Sequence, residues 1–185
     1  MPSTPRITTL AWLVYVPLGL AGMAWAWFSD DRAAWALADP WMNAGAEARS
    51  ATSLGLGAAL GVLVVASTPS LVARVAWARA LQRELKPMVA NLSHRDIFWL
   101  ALASGTAEEL FFRGAMQPAL GLWATSLIFG AVHVGPRGVF LAWALWASIM
   151  GLALGAIFEL TGALSGCVVA HVWINLRNLR FAQRY

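Results

Sequence analysis

IFWLALASGTAEELFFRGAMQ, residues 97–117, reads as a membrane-spanning helix with formal charges inside it. Its first seven residues are apolar, and Glu108, Glu109 and Arg113 follow among alanine, leucine and phenylalanine. The composition around this stretch supports the membrane reading. Of 185 residues, 59% are hydrophobic and only 12% charged, with a mean hydropathy of +0.64. A soluble domain carries about 25% charged residues. The expected fold class is therefore all-α, a polytopic membrane helical bundle of about six spans. It is expected to form a single integral-membrane domain over 1–185, without room for a second, soluble one.

Outward from this stretch, candidate spans fall at 8–28, 51–72, 97–116, 119–134, 139–160 and 163–176. Pro17 predicts a kink in the first. The linker between the second and third has the spacing of an amphipathic helix lying along the membrane surface, which Pro87 would interrupt. The net charge of +4 and a pI near 10.2 do not indicate a nucleic-acid partner, because the basic residues sit at span ends. With both termini cytoplasmic, only Arg32 and Arg49 fall on the outer side and Arg113 within the membrane. The positive-inside rule selects that orientation, in what is expected to be a bacterial inner (plasma) membrane. The first apolar run is longer than the roughly 7–15 residues of a signal-peptide core, so it reads as a span. The glycines of GLGAALG, residues 55–61, read as close helix packing.

Ionisable groups inside a span cost about 2.5–3.5 kcal/mol each and mark function by default. Glu108, His133 and His171 lie about 18, 15 and 13 Å from their span ends at the helical rise. All three reach the middle third of a core about 30 Å thick. Successive helical residues point about 100° apart, so Glu108 and Glu109 are not expected to face one centre. Glu109 and Arg113, four apart, read as a structural ion pair, leaving Glu108 as the free carboxylate. Phe129 with His133, and His171 with Asn175, share faces by the same spacing.

Each of these residues has a plainer reading. An intramembrane histidine commonly bridges helices, an asparagine near a helix end caps or packs, and a carboxylate can relay protons. Matched depth across several helices favours a site over coincidence. Cys167, one turn before His171, is a candidate nucleophile by position, but a thiol in an apolar helix behaves as a small hydrophobe. A proton-coupled carrier would need repeats or paired half-helices, and the sequence has none. A non-catalytic membrane immunity or scaffold protein stays as the alternative class.

EELFFR (residues 108–113), FGAVH (129–133) and HVWIN (171–175) resemble, in order, the E-E-x-x-x-R, F-x-x-x-H and H-x-x-x-N motifs of the CPBP family. These are CAAX-protease and bacteriocin-processing intramembrane proteases. The motif-bearing helices cover 97–176. The resemblance implies an intramembrane endopeptidase acting on a membrane-anchored peptide or protein in the lipid bilayer. Glu108 and His133 would activate a water, His171 and Asn175 would stabilise the oxyanion, and Glu109, Arg113 and Phe129 would support them. No cofactor is expected. If zinc were used, Glu108, His133 and His171 would be its ligands.

Overall fold

The computed structural model describes residues 7–30 and 32–185. Arg6 and Asp31, counted in the charge pattern, lie outside the described residues. The helices are α1 (Ile7–Asp30), α2 (Ala46–Arg74), α3 (Ala76–Val89), α4 (His94–Glu108), a π-helical segment (Glu109–Met116), α5 (Gln117–Ala131), α6 (Val139–Thr161) and α7 (Ser165–Arg184). The protein is an all-α membrane bundle. Three helices are by themselves long and apolar enough to cross a bilayer: Thr9–Ser29, Ala46–Arg74 and Val139–Thr161.

The other three candidate spans depart from a plain apolar helix, each for a local reason. The span at 97–116 is not one α-helix. Ser93 and Asp96 form a capping box that starts α4, and the ladder changes to π winding at Glu109. The span at 119–134 is broken at Gly121, whose φ of 81° lies in the left-handed region. It then ends at Ala131, before His133. The last span runs beyond residue 176 to Arg184, because Arg177, Arg180 and Arg184 continue the helix past its apolar part. Pro17 does not break α1, and Pro87 lies in the last turn of α3, which ends at Val89.

Two sets of contacts define the two ends of the bundle. At one end, Arg137 in the α5–α6 turn pairs with Glu84 of α3, and Gln183 of α7 donates to the carbonyls of Val89 and Leu92. At the other end the α1–α2 loop lies against the α6–α7 turn. Leu37 N–H donates to Gly162 O (2.9 Å) and Trp41 N–H to Glu159 O (2.9 Å), while Ala36 bridges Ala163. Gly162, at φ 66°, makes the left-handed turn that ends α6. The chain therefore crosses back and forth, and the start of α1 lies on the same side as the end of α7.

Close helix approach holds the site-bearing helices. Any side chain on Gly57 or Gly166 would run into the facing backbone of α7 or α2, and one on Gly61 would meet Trp173. Ser53 ties the same seam, donating to Ala163 O (2.7 Å) and accepting from Gly166 N–H (3.0 Å). Gly105 admits the backbone of α7 at Val172, so α7 passes directly over α4. Small residues give backbones this proximity in a bilayer, where van der Waals packing holds helices together.

Candidate active site

The seam between α4 and α7 aligns polar groups on successive turns. Ser104 and Glu108 on α4 face Asn175 and His171 on α7. Asn175 Nδ2 donates to Ser104 Oγ at 3.0 Å. His171 Nε2 lies 3.8 Å from Glu108 Oε2. The shared face expected for His171 and Asn175 is thus present, since both point at α4. Ser104 enters the site unannounced by charge, and its only signal in the sequence is its position one turn before Glu108.

Glu109 departs from the helical-wheel expectation. Its Oε1 accepts from Arg113 Nη1 at 2.8 Å and also from His171 Nδ1 at 2.7 Å. Both carboxylates therefore reach one imidazole, Glu109 at Nδ1 and Glu108 at Nε2. The expectation that consecutive glutamates diverge assumed uniform α geometry. The π winding that starts at Glu109 turns each residue through a smaller angle, and the imidazole presents nitrogens on two sides. Glu109 is thus both the partner of Arg113 and the group that orients His171. A carboxylate fixing one imidazole nitrogen sets the tautomer and ring angle of the other.

Arg113 is 1% exposed and Glu109 fully buried. Besides Glu109, the guanidinium donates from Nη2 to Gly151 O (3.3 Å) and stands 4.3 Å from the Phe129 ring centroid. Such π-face contact suits a desolvated guanidinium. One turn further on, Gln117 Nε2 donates to Gly155 O and Glu159 Oε1, each at 3.0 Å. Glu109, Arg113 and Gln117 thus form a polar ladder against α6, opposite Gly151, Gly155 and Glu159. Only the first two rungs carried a readable charge pattern.

His133 lies outside any helix, two residues past the end of α5. The i,i+4 relation to Phe129 survives: Nδ1 donates to Phe129 O at 2.7 Å, and the rings lie 4.8 Å apart. A carbonyl only accepts, so Nδ1 carries a proton. Phe129 also contacts His171 edge-on at 5.9 Å, so its ring touches both imidazoles. Among the described residues, no ion pair joins His133 to Glu108 or Glu109.

Two further observations bear on the chemistry. Glu108 Oε2 is buried and has no hydrogen-bond partner among the described residues, while the Tyr15 hydroxyl of α1 lies near the same carboxylate group. Cys167 is fully buried in the core with Leu154 and Phe158, its thiol donating to Leu154 O at 3.2 Å. The zinc reading needs three converging donors. Glu108 and His171 offer two. Among the described residues no group of three His, Cys, Asp or Glu side chains is arranged to hold a metal ion, so the donor set does not fit.

Residues 90–177 match the family model described as type II CAAX prenyl endopeptidase Rce1-like. The chain is also similar to the Bacillus subtilis (strain 168) protein described as uncharacterized protein YpbD, with 37% identity over 90 residues. That alignment covers 49% of this chain and 47% of the relative, so the chain spans about half the length of the curated relative it matches. No solved structure matches. The resemblance read from the three motifs is borne out over the segment that contains them.

Proposed function

We propose that this chain is an intramembrane endopeptidase that hydrolyses a peptide bond of a membrane-anchored peptide, with Glu108 as the general base. The observation that carries the reading is the buried, unpartnered Glu108 Oε2, 3.8 Å from His171 Nε2. In its neutral tautomer, with Nδ1 donating to Glu109, His171 presents a lone pair at Nε2. Two acceptors then face each other across a gap that suits a donor between them, and the water consumed in hydrolysis is such a donor. Glu108 takes its proton as the hydroxide attacks the scissile carbonyl, and returns it to the leaving amine. Asn175, with one amide N–H on Ser104 and a second to give, stabilises the oxyanion. His133 offers Nε2 as a further acceptor on the far side of Phe129. Glu109 and Arg113 hold His171 in register.

The test is Glu108→Gln in purified protein given a membrane-anchored fluorogenic peptide. The amide keeps the shape and cannot accept the proton, so turnover should vanish while expression and peptide binding persist. Full activity in this variant sinks the base assignment. Turnover lost on chelation and restored by zinc would make Glu108 a ligand instead.

A further inference from the structure

A groove of about 420 Å³ runs between α1 and α4 on the outside of the bundle. Tyr15, Val16 and Gly19 line it from α1, and Ala103, Thr106 and Ala107 from α4. Its rim faces the surroundings: Val16 is 44% and Leu20 56% exposed. Small residues make the floor. A Cβ on Gly19 would only just touch Ala107, whereas one on Gly22 would collide with the backbone of Leu110 and Phe111. The helices are therefore clamped together at Gly22 and stand apart below it, so the concavity is built into the packing. Its lining includes no charged side chain.

We propose that this groove holds the apolar segment of the peptide substrate next to the scissile bond, in extended form, and delivers that bond to Glu108. The inference rests on the endopeptidase reading. Two features favour a peptide over a lipid chain. First, the groove leads toward the site, because Tyr15 in its wall lies near the Glu108 carboxylate. Second, the lining carries the hydroxyls of Tyr15 and Thr106. An extended peptide in the bilayer needs partners for its backbone N–H and C=O groups, whereas a hydrocarbon chain has no use for them.

Val16→Trp fills the groove from its exposed rim without entering the core. It should raise KM for a membrane-anchored fluorogenic peptide about tenfold and leave kcat within about twofold, the signature of lost binding alone. Leu13→Trp, at a position 67% exposed and outside the groove lining, should match wild type. A benzoylphenylalanine placed at position 16 in proteoliposomes should cross-link the labelled peptide. An unchanged KM in Val16→Trp, or cross-links to phospholipid alone, overturns the groove assignment even if wild type cleaves. Cross-linking to a peptide that wild type cannot cleave would retain the groove and sink the endopeptidase reading.

Discussion

At the scale of single residues, Glu109 is the group whose neighbours constrain it most. It serves Arg113 and His171 with one oxygen, Oε1, in a site from which water is largely excluded. Arg113→Ala strands that carboxylate, at a cost of about 3–5 kcal/mol for one member of a buried pair. Folded yield in the membrane should fall together with activity. Glu109→Gln combined with Arg113→Gln removes both charges and should recover yield better than either change alone. Activity should stay below wild type, because a glutamine at 109 accepts from His171 Nδ1 without the carboxylate's charge and can equally turn its N–H toward the ring. Detergent-extracted folded protein and peptide turnover, measured side by side, separate the two effects. Normal yield in both single variants would argue against the ion pair as a structural element.

Elements raise a different question, namely how an α4 that carries the base and an α7 that carries the imidazole come close enough to share a reaction. The answer is the row of glycines. Gly105 brings α7 onto α4 at Val172, and Gly57 with Gly166 brings α2 onto α7. Gly166→Ala places a methyl group against the backbone and hydroxyl of Ser53, where no flexible side chain can yield. Overpacking of this kind costs about 1–3 kcal/mol. The thermal midpoint in detergent should drop, and activity should fall with it as the start of α7 is pushed away. Gly55→Ala, on the facing helix α2 with open space around it, is the control and should leave the midpoint unchanged. A similar midpoint for both variants would remove the seam from the account. The π segment adds its own contribution at this scale, since Gly114 within it accepts Arg32 Nη1 at 2.7 Å and admits Ala34 of the α1–α2 loop. The site helix is thereby fastened to the loop that covers the bundle's far end.

For the molecule as a whole, the alternation of contacts at the two ends fixes which loops share a side, and the basic residues choose which side is which. We infer that the α3 end faces the cytoplasm, because Arg74, Arg79, Arg83, Lys86 and Arg95 cluster there with the end of α7. A reporter fused after Tyr185 should be cytoplasmic, and one inserted in the 32–45 loop should be external. An external carboxy-terminal reporter would overturn the inferred orientation, and two reporters on one side would overturn the crossing pattern itself.

Hydropathy and charge spacing in the sequence alone determined the all-helical membrane class and put Glu108, His133 and His171 at one expected depth; of these the structure sets His171 beside Glu108. These depend on local periodicity and on the expense of charge in lipid, which a linear chain displays directly. The pairing of Glu109 with Arg113 was legible for the same reason. Tertiary structure decided the rest. The π winding over residues 109–116, with Glu108 and Glu109 both on one imidazole, is contained in no helical wheel. His133 lies two residues past the end of α5, which stops at Ala131. Ser104, Gln117 and Tyr15 are ordinary polar residues in sequence. They become part of the site only because the glycine seams bring distant helix faces within hydrogen-bonding reach.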